Sequence, residues 1–141
     1  MPDLTRDTNI NFVTPVIAAK HAVAGFARLS EAASRTFIFT GNLLSILPRP
    51  VAATFGAGKA AMANAIEALT LGYSGKGYKF YYADERWEDG ASPLNDIDGP
   101  AHGKEYLELA LDPKQRAWEY TFVKGIGYKA FTVKDAENTR W

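Results

Sequence analysis

Residues 35–44 read Arg-Thr-Phe-Ile-Phe-Thr-Gly-Asn-Leu-Leu (RTFIFTGNLL). After the leading arginine, residues 36–40 are apolar or β-branched, and Gly41-Asn42 behind them is a turn signal. A short apolar run without polar alternation, closed by a turn, predicts a strand buried on both faces, as in a parallel sheet covered by helices. Upstream, Val13, Val16, Ile17, Val23, Phe26 and Leu29 recur at spacings near three and four, with Lys20, Arg28 and Glu31 mostly between them, which predicts a helix over 8–33. Pro15 leaves two starts open: Thr14 caps a helix with Pro15 at its first position, or an earlier helical turn is kinked there, the reading preferred. Downstream, a proline-bracketed loop (43–50, LLSILPRP) leads to a second predicted helix over 51–71. That helix is rich in small residues (Gly56, Ala57, Gly58, Ala60, Ala61, Ala63, Ala65) and is stopped by Gly72, Gly75 and Gly77.

The alternation continues to the C-terminus. Residues 78–83 (YKFYYA) predict a strand, 84–100 a polar loop, 101–111 a shorter helix and 118–124 (WEYTFVK) a third strand. Residues 128–133 read as a short extended segment and 134–141 (KDAENTRW) as a loose tail. Strands alternating with helices predict one α/β domain over 1–141, with about three parallel strands joined by right-handed crossovers. A bare edge beside the apolar side chains of 36–40 would be unusual, so that edge is expected to be covered by another chain or by the N-terminal segment folding back.

Lysine plus arginine equals aspartate plus glutamate at 16 each, which offers no long-range field for nucleic acid or an anionic membrane. The 141-residue chain has no cysteine, excluding disulfides and thiolate chemistry and fitting a reducing compartment. No apolar run approaches the roughly 20 residues of a membrane span, and the polar start MPDLTRDTNIN lacks the order of a signal peptide. A cytoplasmic protein with no nucleic-acid or membrane partner is expected.

Three motifs need weighing. Gly125-Ile-Gly127-Tyr-Lys-Ala130 fits G-x-G-x-x-A in letters, yet the long helix, second strand and acid that complete a dinucleotide site do not follow. A glycine turn is the expected reading. Gly56-Ala57-Gly58-Lys59 has Ala53 and Ala60 where a phosphate-binding loop needs glycine and serine or threonine. Small residues at 56, 60 and 63 are expected to admit a neighbouring helix instead. His21 and His102 lie too far apart in sequence for a metal spacing. His21 is expected on a surface or interface and His102 in capping or packing; no metal site is expected.

The order of elements, with Asn11 in NFVTPVIAAK, Asn42 in FTGN and Phe55-Gly56-Ala57-Gly58-Lys59, resembles the C-terminal half of the short-chain dehydrogenase/reductase family. The match runs from about 10 to 131. The wider pattern TFIFTGNLL, GKAA, KFYYADER and YTFVKGIGYKAF is similar to a fungal reductase-like group with the same substitutions. The resemblance implies a truncated Rossmann-like half in which Asn11 stands at the family's helix asparagine. Asn42 stands at the serine position, Phe55 at the tyrosine and Lys59 at the lysine of Tyr-x-x-x-Lys. In the family the tyrosine exchanges a proton with the substrate oxygen and the lysine ammonium lowers its pKa. Phenylalanine has no such proton, although Asn42 retains amide N–H groups for an oxyanion.

The resemblance also implies that the glycines cradling the dinucleotide lie upstream of residue 11, so no cofactor is expected on this chain. Asn11, Asn42 and Lys59 are the candidate catalytic residues. Phe55, Tyr82, Asp84 and Glu85 are the candidate substrate contacts, with Tyr81, Trp87, Trp118 and Tyr128 as further aromatics for an apolar pocket. Expected functions are a cofactor-independent isomerase, cyclase or dehydratase acting on a small-molecule ligand, or a noncatalytic subunit. The latter would form a homodimer or pair with a full-length reductase relative.

Overall fold

The apolar run opened above forms β1 (Thr36–Thr40), which pairs in parallel with β2 (Lys79–Arg86), Thr36 facing Lys79 and Thr40 facing Ala83. The computed structural model describes residues 3–132 and 135. β2 pairs in parallel with β3 (Glu119–Val123), which returns through a tight turn into the short antiparallel β4 (Gly127–Tyr128), giving the order β1-β2-β3-β4. Gly125 and Gly127 hold φ of 78° and 93° in that turn, a region glycine enters without Cβ strain. The G-x-G-x-x-A letters therefore mark a hairpin. Of the expected tail, 134 and 136–141 lie outside the described residues.

The helical segment before β1 starts earlier and ends sooner than its periodicity implied. It runs as α1 (Leu4–Thr8), a π turn (Asn9–Val13) and α2 (Thr14–Phe26). Pro15 has no N–H to donate and crowds the preceding turn; the widened turn just before it absorbs that, so the distortion lies upstream of the proline and Thr14 is no cap. The helix stops where its anchoring stops, because Phe26 is buried while Leu29 is exposed. α3 (Ala53–Gly72) and α4 (Gly99–Leu111) follow. Gly77, with φ of 65°, completes the stop after α3.

Because side chains alternate along a strand, β2 feeds two cores. Phe80 and Tyr82 pack with Phe26, Met62 and Ile66 of the α2/α3 layer, whereas Tyr81 packs with Leu109 of α4 and with Tyr120 and Phe122. Thus α3 and α4 cover opposite faces of a sheet whose strands progress in one direction. The β1–α3–β2 and β2–α4–β3 crossovers therefore have opposite hands, so the expectation that both are right-handed is incorrect. The long connection 87–98 gives the chain room to change faces. Lys79, buried on the α4 side, donates to the carbonyls of Leu109, Ala110 and Asp112 and ties down the end of α4, the helix terminus that favours a cation.

β2 is also three residues longer than its apolar stretch. Asp84, Glu85 and Arg86, which read as the start of a solvated loop, are strand residues, each under 5% exposed. Burial is tolerated because each is paired. Arg86 Nε donates to Asp84 Oδ2 at 2.6 Å and its Nη1 to Gly90 O at 3.1 Å, while Glu85 accepts the Asp98 N–H at 2.8 Å. The outer edge of β1 has no strand beside it among the described residues. The N-terminal segment does not fold over that edge; it packs as a helix against α3 and the sheet face. No described helix is long and apolar enough to cross a membrane.

Candidate functional site

The carboxyl ends of β1 and β2 lie beside the first turns of α3, at the rim where open α/β sheets hold ligands. Gly41 continues the ladder, its N–H donating to Ala83 O at 2.7 Å. The Tyr82 ring occupies the space a side chain at 41 would need: a Cβ there would fall 2.0 Å from Tyr82 Cε1. Tyr82 Oη donates to Asn42 O at 3.0 Å and accepts the Asn42 N–H at 3.1 Å. Burial pushes its phenol up to about 12. Tyr82 is 1% exposed, so its hydroxyl is committed to pinning the turn. Asn42 in turn caps the short 3-10 turn Leu43–Ser45, its Oδ1 accepting the Leu44 N–H at 3.1 Å. That leaves the Asn42 Nδ2 as the part of the amide not used by the cap.

Lys59 lies one turn of α3 beyond Phe55. Its Nζ donates to Thr40 O at 3.0 Å and sits 4.6 Å from the Phe39 ring centroid and 5.5 Å from that of Phe55. Phe55 thus meets the ammonium with a ring face and no hydroxyl. Lys59 is 9% exposed, and burial lowers its pKa to about 8, with the Asp84 carboxylate pulling the other way. Asp84 lies on the same side of β2 as Tyr82. Burial raises its carboxyl to about 6, opposed by Arg86 and more weakly by Lys59.

The unfolded chain holds the Lys59 proton to about 10.5 and the folded chain only to about 8. The unfolded state therefore binds more protons between those values, and stability rises with pH across that window. Lys59→Met is expected to stabilise the protein at pH 7 by roughly 1–3 kcal/mol, net of the lost bond to Thr40. That advantage should shrink by pH 10. Urea denaturation of both proteins at the two pH values checks this, and an equal gap at both would count against it.

The remaining candidates separate. Asn11 is buried in the π turn with its Nδ2 donating to Asp7 O at 3.0 Å. It packs on Gly58, where an added Cβ would lie 2.8 Å from Asn11 Cβ. Asn11 therefore reaches α3 next to Lys59 but spends its amide on its own helix. The close approach to the small-residue helix is made at Gly58, with Gly56 facing the Leu44 carbonyl. Glu85 points to the α4 side, where it accepts the Asp98 N–H and lies 3.3 Å from His102 Nδ1. His102 also contacts Asp98 O at 2.9 Å and packs edge-on to Phe122, while His21 is exposed. The five aromatics do not share one pocket: Tyr81 and Tyr82 are buried on opposite faces, Trp118 packs at the α3-side core, and Trp87 and Tyr128 are exposed.

Sequence reasoning missed two residues here. Thr40 closes β1, exposed, with its Oγ1 2.7 Å from Tyr106 Oη of α4. The one available signal was that Tyr106 follows His102 by four residues, on the same helix face.

The family's nicotinamide cofactor would need a strand, a glycine turn and a long helix for its diphosphate. Among the described residues, the glycine stretch that matches in letters is the β3–β4 hairpin, so the residues present do not fit that group. No three His, Asp or Glu side chains among the described residues gather as a metal site.

No family model and no solved structure matches the chain. It is 50% identical over 131 residues to the short-chain dehydrogenase/reductase dmxR12 of Cryptosporiopsis sp. (strain 8999). The alignment covers 93% of this chain and 53% of that relative. The chain thus spans about half the length of the curated relative it matches. With parallel strands flanked by helices, a lysine four residues beyond an aromatic on α3 and half its aligned residues shared with a member, the chain belongs to the short-chain dehydrogenase/reductase family.

Proposed function

We propose that this chain does not act as a dehydrogenase by itself and is a cofactor-independent, non-redox enzyme of the isomerase, cyclase or dehydratase type, acting on a small metabolite in the cytoplasm. The observation that carries the reading is Phe55, whose ring faces Lys59 Nζ at 5.5 Å. Hydride transfer to a carbonyl needs a proton for the oxygen, and this ring has none to give. What remains is an ammonium near its working range, the Asn42 amide and the Asp84 carboxylate, groups suited to moving protons and holding an oxyanion. Titration with NADPH, followed by quenching of tryptophan fluorescence, tests the reading. No saturable quenching is expected; micromolar binding would reverse it.

A second reading is a noncatalytic subunit that forms a homodimer or joins a full-length reductase relative. It draws on an apolar groove between α2 and α3, lined by Val16, Ala19, Val23, Ala65, Ala68 and Leu69, together with the unpaired edge of β1. Under this reading, Asn42 and Lys59 substitutions leave function intact and a reductase co-purifies with the chain. A monomer by light scattering at micromolar concentration, with no such partner, would dismiss it.

A further inference from the structure

Resting on the non-redox reading above, we propose that Tyr106 supplies the phenol that position 55 lacks. With Thr40 and Lys59 it forms a site for the oxygen of a small carbonyl compound or its enolate, at the carboxyl end of β1. Two polar groups from different helices end on one residue. Tyr106 Oη lies 2.7 Å from Thr40 Oγ1, and Lys59 Nζ donates to Thr40 O at 3.0 Å. They approach from the two faces of the sheet, since α4 and α3 lie on opposite sides. Both reach the strand terminus, the rim at which α/β sheets take ligands. Thr40 is exposed and Tyr106 half-buried, so the hydroxyl pair stands at the surface while the ammonium behind it is shielded.

The phenol is held in place rather than free to swing. Asp98 caps α4, its Oδ1 accepting the Ala101 N–H at 2.8 Å. The His102 ring, fixed by Asp98 O, Glu85 and Phe122, packs edge-on against the Tyr106 ring at 5.5 Å. A hydrogen bond between two hydroxyls where one is exposed adds little to stability, so packing alone gives weak reason for it. Burial raises the Tyr106 pKa, the Thr40 bond lowers it, and the Asp84 and Glu85 carboxylates raise it further. Tyr106 is accordingly a neutral donor at pH 7. Its O–H would donate a hydrogen bond to that oxygen as negative charge develops there and keep its proton throughout, so no bond is made or broken at the phenol. No oxidant or reductant is consumed, and the Lys59 ammonium supplies a favourable field for the anion.

The test uses 4-nitrophenolate as an oxyanion probe on the full chain, read by its visible absorbance shift. In parallel, NMR of tyrosine labelled with carbon-13 at Cζ follows the phenol, the Tyr106 signal being assigned by its loss in Tyr106→Phe. Wild-type protein should bind the probe and move the Tyr106 signal, and Tyr106→Phe should weaken binding about tenfold or more while leaving thermal stability nearly unchanged. Lys59→Met should weaken it too. If Tyr106→Phe binds like wild type while Lys59→Met does not, the phenol has no part and this inference falls, leaving the proposed function untouched. Failure of wild-type protein to bind the probe also overturns the inference. The cofactor titration then decides the proposed function independently.

Discussion

Gly41→Ala is expected to destabilise the protein by about 3 kcal/mol or more, lowering Tm by about 10 °C. The added Cβ would fall 2.0 Å from Cε1, 2.3 Å from Cζ and 2.5 Å from Cδ1 of Tyr82. These atoms belong to a rigid ring in the core, 1% exposed and held by two hydrogen bonds to Asn42, so the ring cannot swing aside cheaply. Either the 41–45 turn lifts from the sheet or the ring is expelled. Thermal and urea denaturation measure the loss. A Tyr82→Ala background should reduce the further cost of the alanine, because the two sites share one volume and their effects cannot add. An unchanged Tm in Gly41→Ala would mean that the turn does not rest on the ring.

Arg86→Met is expected to cost about 3–5 kcal/mol, because it strands a buried carboxylate in the central strand. Asp84 then loses a 2.6 Å ion pair, and Gly90 O loses its bond to Nη1. The sign with pH follows from Asp84, whose folded-state pKa already stands near 6, above the ordinary 3.8. A carboxyl raised on folding binds its proton more tightly in the folded state, so its contribution to stability falls as pH rises from about 4 through 6. Without Arg86 the folded-state pKa climbs further, so that fall extends to higher pH. The deficit of Arg86→Met should be largest at pH 7 and smaller near pH 4, and Asp84→Asn should restore part of it. Denaturation at the two pH values measures both effects; a deficit independent of pH would show that lost packing, not the stranded charge, is responsible.

What the sequence revealed was short-range. RTFIFT needs no partner to be read as a strand, since its apolar content and the turn behind it are local. The expectation of burial on both faces is incorrect: β1 is half-buried and ends on exposed Thr40, because it lies at the edge of the sheet. Phe55 and Lys59 are legible by spacing alone, because one turn of helix puts them on one face. Asp84-Glu85-Arg86 misleads for the opposite reason. A charge run reads as solvent-facing unless it is known that Asp84 and Arg86 share a strand face and close on each other. The hand of the second crossover is likewise invisible locally, since it depends on which face α4 finds after a long connection. Thr40 and Tyr106 have no motif; 66 residues separate them, and only the docking of α4 brings their hydroxyls together.

The π turn at Asn9–Val13 has a consequence for residue count. Each residue of an α-helix advances about 100° around the axis, and a widened turn accommodates one extra residue within an otherwise regular helix. Deleting one residue there would let the segment relax to plain α-helix with α1 kept in phase, whereas deleting a second would rotate α1 by nearly a third of a revolution. Asp7, which accepts the Thr54 hydroxyl at 2.6 Å, would then face away from α3. The segment is therefore tolerant of exchange at exposed Ile10 and Val13 and has one residue to spare, beyond which the first helix loses its phase with the one that carries Lys59.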